Sequence, residues 1–181
     1  MKLFIIGPPG SGKGSQADLL TKHYKLKRIG LGDILRLKRG EKSKEGRIIK
    51  ESMDKGNLVP NEIADGIINR ETKNCDNFIV DGFPRDIKQA KGFKGKIDKV
   101  IYLTSSDENI IRRLLLRKRA DDIIDIIKHR ILVYNERTRL VVEYYKKKSL
   151  LLEIDGNHSI PEVFEDLKNK LDKIFFGKKS R

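Results

Sequence analysis

The chain has 181 residues, a single cysteine and 40 basic against 26 acidic side chains, a net charge of +14. That length supports one substantial core with room for a small insertion. No apolar run approaches the roughly 18–20 residues of a membrane span, and the apolar stretch at 1–6 is too short for a signal peptide. Cys75 alone cannot form an internal disulfide, which fits a reducing, cytoplasmic setting. The positive surplus suits either nucleic acid or small polyphosphates. The lysine clusters at 22–28, 146–148 and 178–181 are scattered and not interleaved with aromatics, and the chain has no tryptophan. A specific nucleic-acid partner is therefore not expected.

The chain opens with an apolar run over 3–6 that reads as a buried strand. Gly7-Pro8-Pro9-Gly10-Ser11-Gly12-Lys13-Gly14-Ser15 follows, and then an amphipathic helix over 16–24. Strand, glycine loop and helix is the setting of a phosphate-binding loop. Glycines let successive backbone N–H groups turn to one centre, and the helix start adds roughly half a positive charge. Lys13 adds a point charge for the outer phosphates. The usual motif has a hydroxyl directly after the lysine to hold magnesium. Here Gly14 stands there and Ser15 comes one later, so the ion is expected on substrate phosphates and water, with no direct protein ligand.

A second strand is predicted over 27–29. Asp33 then reads as a helix N-cap, with Arg36 in the first turn of a basic helical stretch that runs to 55–56. Residues 57–62 read as a turn into a helix over 63–72. The roughly 30 residues inserted here are too polar for core and long enough to form a flap over a site. A third strand over 77–80 ends in Asp81, a carboxylate placed to order magnesium or its waters. The strand-end loop carries Gly82, Arg85 and Gln89, a plausible nucleotide reader.

Strands over 99–103 and 150–154 flank two helices, one over 107–116 and a long one reaching about 145. Gathering Arg113, Arg117, Arg119 and Arg130 in one region costs mutual repulsion. It makes sense around a multiply charged anion, with Asp121 and Asp122 orienting some of them. The three histidines, His23, His129 and His158, show no metal spacing. A closing helix starts near Pro161, and Phe175-Phe176 reads as core packing. The alternation of strand and helix implies one α/β domain with a parallel five-stranded sheet, helices on both faces and ligands at the carboxyl ends of the strands.

Taken in order, Gly-Pro-Pro-Gly-Ser-Gly-Lys-Gly-Ser-Gln (7–16), Gly-Asp-Ile-Leu-Arg (32–36), Asn-Leu-Val-Pro (57–60), Asp-Gly-Phe-Pro-Arg (81–85) with Gln89, and Arg-Ala-Asp-Asp (119–122) with Arg130, Tyr134, Thr138 and Tyr144-Tyr145 resemble the adenylate kinases, within the nucleoside monophosphate kinases, over nearly the whole chain. The resemblance implies a P-loop NTPase-type core, a monophosphate-binding flap at 30–59 and a lid loop at 117–122. It implies reversible transfer of phosphate from ATP to AMP with Mg2+. ATP would meet Gly10, Ser11, Gly12, Lys13, Gly14, Ser15, Arg113, Arg117 and the backbone near His158. AMP would meet Leu31, Arg36, Asn57, Leu58, Val59, Gly82, Arg85, Gln89, Arg119 and Arg130. Lys13, Arg85, Arg117, Arg119 and Arg130 would act on the phosphoryl group in flight, and Asp81 and Ser15 would touch magnesium's water shell.

The chain departs from its relatives in ways that carry expectations. Uridylate/cytidylate kinases have asparagine at the position of Gln89, so AMP is the favoured acceptor. Leu31 replaces a hydroxyl near the acceptor base, and only Lys118 separates Arg117 from Arg119. Both features predict looser base selectivity and leave a broad-specificity monophosphate kinase as the alternative. A nucleic-acid-associated binding protein on the same fold is the more distant one. Ile123, Ile124, Ile126 and Ile127 cover more than one helical face and predict a homo-oligomer interface. Leu140 stands at a usual proline, with an expected effect on helix shape only.

Overall fold

The computed structural model describes residues 1–117, 119 and 122–177. Lys118, Ala120, Asp121 and the basic cluster at 178–181 lie outside the described residues, so the roles expected of Asp121 and of the full lid loop are not addressed by it. Five strands, β1 (Lys2–Ile6), β2 (Lys27–Gly30), β3 (Phe78–Asp81), β4 (Lys99–Thr104) and β5 (Leu151–Asp155), form one parallel sheet in the order β2-β3-β1-β4-β5. Each lies within a residue or so of its predicted span. The chain leaves β1 for β2 on one side and returns through β3 to β4 on the other. The loop after β1 therefore opens at the middle of the sheet's carboxyl edge, the usual ligand crevice of such sheets.

Period-2 alternation builds two cores from one strand. Leu3 and Ile5 are sealed against Ala17 and Leu20 of α1 (Lys13–Tyr24) and, together with Ile154 of β5, against the apolar side of the C-terminal helix. Phe4 and Ile6 point the other way, into a larger cluster with Phe83, Ile68 and Tyr145. Phe4 packs edge-on against Phe83 at 5.7 Å and Phe93 at 5.0 Å. This anchors the loop that follows β3.

The inserted region forms α2 (Leu31–Lys38) and α3 (Lys44–Asp54), followed by α4 (Asn61–Thr72). It is less polar in function than its composition suggested. Leu31, Leu35, Ile49 and Val59 are buried in the larger core. Charges outnumber apolar residues here, but apart from the exposed Leu37 most apolar ones fall on one side of each helix, and only that side has to be covered. Asp33 is not an N-cap: Gly30 holds that position and Asp33 lies within the first turn, where its carboxylate meets arginines. A short helix, α5 (Ile87–Gly92), starts from an Asp86 cap that accepts the Lys88 N–H.

The expected long helix is three consecutive segments: α7 (Ile124–Val133), a five-residue π-helical turn (Tyr134–Thr138) and α8 (Arg139–Lys147), preceded by α6 (Asp107–Arg117). The wide turn buries the Thr138 side chain, whose hydroxyl donates to the Arg85 carbonyl at 2.9 Å. Such turns cluster at functional sites. The last helix, α9 (Ile160–Phe175), begins with a full capping box between Ser159 and Glu162. Phe175 packs partly into the core. Phe176 does not: it is 65 % exposed and stacks on Tyr24 at 6.2 Å.

The isoleucine run is divided by the fold. Ile127 is 0 % exposed and packs with Ile110 and Leu114. Ile126 faces the turn after α3, where a side chain at Gly56 would come within 3.1 Å of it. Only Ile123 and Ile124 stay on the surface. Ile127 is therefore unavailable to the expected interface, because it already serves the monomer's own packing.

Candidate active site

A cleft of about 630 Å³ opens over the carboxyl ends of the strands. Every site residue expected from the sequence lines it, from the phosphate loop (Gly10 to Ser15) through the flap positions Leu31, Arg36 and 57–59 to Asp81, Gly82, Arg85, Gln89, Arg113, Arg117, Arg119, Arg130 and His158.

The loop begins as β1 ends. Gly12 caps α1 with φ of 95°, a left-handed conformation with open space around it. A side chain there would strain the turn that aims the first helical N–H groups into the cleft. Lys13 folds back so that its ammonium donates to the carbonyls of Gly7 (2.9 Å) and Pro8 (2.7 Å). Burial pushes its pKa down from 10.5 to about 7; the Asp81 carboxylate opposes this, and the positive charges of Arg85, Arg130 and Arg117 add to it. Part of the residue still faces the open cleft, so water tempers the effect.

Arg85 follows Phe83-Pro84 and is held through both its backbone and its side chain. Its Nε donates to the Gly82 carbonyl at 2.8 Å, its backbone N–H donates to Gln89 Oε1 at 2.8 Å, and its carbonyl accepts from Thr138. Gln89 is 2 % exposed, and its Nε2 donates to Asn61 Oδ1 at 2.9 Å. Arg36, in the second turn of α2, donates to Asp33.

On the opposite wall, Asp122 is the hub. Its carboxylate takes Nε and Nη2 of Arg117 at 2.8 and 2.6 Å, the backbone N–H of Arg119 at 3.1 Å and Nη1 of Arg130 at 3.4 Å. Desolvation works to raise its pKa, yet the Arg117 and Arg119 hydrogen bonds outweigh it and hold the carboxyl below the usual range. The expectation that an aspartate of this pair orients the arginines is met by Asp122. Arg113 donates to the carbonyls of Gly156 (2.7 Å) and His158 (3.2 Å), which joins α6 to the β5–α9 loop.

The contacts of Arg28, Asn61 and His129 were not read from the sequence. Arg28, the second residue of β2, reaches Asp18, Asp33 and Asp81. Asn61 fixes Gln89. His129 Nε2 lies 2.7 Å from Asn57 Oδ1, which ties α7 to the flap. Arg28 carried no signal of its own in the sequence, because its three partners are spread from position 18 to position 81 and form no pattern.

The sequence model of the adenylate kinase family matches residues 5–150. The chain is 41 % identical to an adenylate kinase of Trichodesmium erythraeum, covering 96 % of this chain and 99 % of that protein. It is 36 % identical to one from Oenococcus oeni (95 % and 98 %) and 34 % identical to one from Encephalitozoon cuniculi (94 % and 98 %). The chain belongs to the adenylate kinase family. It is therefore a nucleoside monophosphate kinase, a phosphotransferase whose family reaction converts ATP and AMP to two ADP. No helix among the described residues is long and apolar enough to cross a membrane.

No cluster of three or more His, Cys, Asp or Glu among the described residues forms a metal cage. The Asp81 carboxylate lies beside Gly14 at the rim of the loop. One carboxylate next to a phosphate cradle fits a small, strongly hydrated ion that arrives on a nucleotide and keeps its waters.

Proposed function

We propose that this adenylate kinase family member favours AMP as acceptor and binds ATP and AMP end to end across the cleft, with the residues in the roles set out below. The observation that carries the reading is the convergence of Lys13, Arg36, Arg85, Arg117, Arg119 and Arg130 on one cleft beside a glycine loop. Such a set of fixed positive groups fits the charge of two nucleotides and of a phosphoryl group passing between them.

In this reading Gly10 to Ser15 cradle the donor phosphates and Lys13 follows the transferred group. Arg113 lies against the donor base, beside the backbone near His158. Arg36 and Arg85 clamp the acceptor phosphate, and Arg117, Arg119 and Arg130 close on the group in flight. Magnesium carried on ATP would neutralise charge at the phosphates, and Asp81 and Ser15 are the residues that would meet its water shell. Catalysis is alignment and charge stabilisation, with no covalent enzyme intermediate. Residues 30–59 and the loop at 117–122 act as flap and lid that exclude water, so that phosphate passes to AMP and not to solvent.

Gln89 supports adenine as the acceptor base. With Oε1 taking the Arg85 N–H and Nε2 serving Asn61, one lone pair and one N–H remain for a ligand. Those match the donor and acceptor on adenine's pairing edge. Leu31 adds an apolar wall without a hydroxyl. A coupled assay with each monophosphate in turn should show AMP with the highest kcat/KM. Equal turnover of UMP or CMP would favour the broad-specificity reading. The single Cys75 supports a cytoplasmic setting. The surface pair Ile123 and Ile124 supports self-association, for which light scattering at micromolar concentration should give more than the 20.9 kDa of one chain; a monomer ends that idea.

A further inference from the structure

Arg28 is a cation with three carboxylates around it. Its Nε lies 2.9 Å from Asp18 of α1, its Nη1 2.9 Å from Asp33 of α2, and its Nη2 3.3 Å from Asp81 at the end of β3. The side chain is about three-quarters shielded and lines the cleft. The backbone leaves room for it. A Cβ at Gly30 would sit 2.6 Å from Asp33 Oδ2 and 3.1 Å from Arg28 Nη1, and one at Gly14 would fall between Asp81 and Arg28. Asp33 is shared: Oδ2 takes Arg28 while Oδ1 takes Arg36.

We propose that Arg28 is a positioning residue for the acceptor phosphate. It occupies one oxygen of Asp33 and so prevents that carboxylate from forking both oxygens onto Arg36. Arg–carboxylate pairs favour the two-point arrangement, and a forked Arg36 would be turned away from the cleft. Held at one oxygen only, Arg36 keeps its other N–H groups for a phosphate. Arg28 also offsets the negative charge of Asp33 and Asp81, which would otherwise repel a dianion entering beside them.

The inference rests on the reading of Arg36 as the acceptor-phosphate clamp, and the test separates the two. AMP affinity is measured by calorimetry, without metal, for the native protein and for Arg28→Gln, Arg28→Gln/Asp33→Asn and Arg36→Met. Arg28→Gln is expected to weaken AMP binding about tenfold, the scale of one charge-assisted contact. Adding Asp33→Asn should recover most of that loss, because the competing carboxylate is gone. A structural role for Arg28 would give no such recovery, so a loss that persists in the double variant overturns the proposal. So does AMP affinity within twofold of native in Arg28→Gln while Arg36→Met is impaired. If Arg36→Met leaves AMP affinity unchanged, the clamp reading and this inference fall together. Should Arg28→Gln not fold, Arg28→Lys serves in its place. A single ammonium cannot span the three carboxylates, so a loss of at least threefold, again recovered by Asp33→Asn, is the expected result, and its absence overturns the proposal.

Discussion

Arg85→Ala is expected to lower kcat by about 10³-fold or more while the protein stays folded. The side chain reaches the cleft from a loop pinned by buried Phe83, by Gln89 on its N–H and by Thr138 on its carbonyl. Those restraints act on the backbone and survive the substitution. Among the bonds the side chain makes is the one from Nε to the Gly82 carbonyl, and a bond of this kind is worth about 1 kcal/mol. For a chain of this size that moves the melting temperature by about 2–4 °C. A 10³-fold loss in rate corresponds to about 4 kcal/mol of transition-state stabilisation. The effect on chemistry therefore exceeds the effect on stability several-fold, and steady-state kinetics alongside a melting curve separates them. Turnover near native in a folded variant would remove Arg85 from the mechanism.

Lys13→Met is expected to cost about 10²–10³-fold in kcat, the usual scale for deleting one fixed donor to developing charge. The same residue predicts a proton signature. Burial lowers its pKa toward about 7, so a substantial fraction of the amine is neutral at pH 8. A bound polyphosphate favours the charged form and raises the pKa. Between the free and bound values, binding must draw in a proton, and ATP affinity must fall as pH rises through about 7. Calorimetry at pH 8 in two buffers of different ionisation enthalpy should show net proton uptake on ATP binding. The Lys13→Met protein should show none. The variant should also melt no lower than native at neutral pH. An amine whose folded pKa lies below its unfolded 10.5 costs the fold stability below pH 7, and that cost fades only as pH climbs toward 10.5. Equal proton uptake in both proteins would contradict the placement of Lys13 against the phosphates.

The strands and the phosphate loop were legible because their signals are local. Leu3 to Ile6 are apolar in sequence and buried on both faces, and Gly12 stands where the backbone turns left-handed. The site arginines were legible through the order of motifs. What escaped notice was long-range. Arg28 gains its meaning from Asp81, 53 positions away, and Gln89 from Asn61, 28 positions away. The flap looked too polar for core because composition averages over the two sides of a helix, whereas burial acts on one. Ile127 looked like surface for the opposite reason: the run of isoleucines concealed which of them faces Ile110 and Leu114. The π-helical turn that brings Thr138 to Arg85 has no sequence signature of its own.

The central claim is that one ring of fixed positive groups, seated on the glycine loop, holds two nucleotides end to end. The most direct measurement is the affinity of a mimic in which two adenosines are joined through a chain of phosphates. The account predicts binding at least about 10²-fold tighter than ATP alone, as expected when one ligand spans both sites and approaches the transition state, with that gain lost in Lys13→Met and in Arg36→Met. A mimic that binds no tighter than ATP, or whose affinity ignores both substitutions, would contradict it.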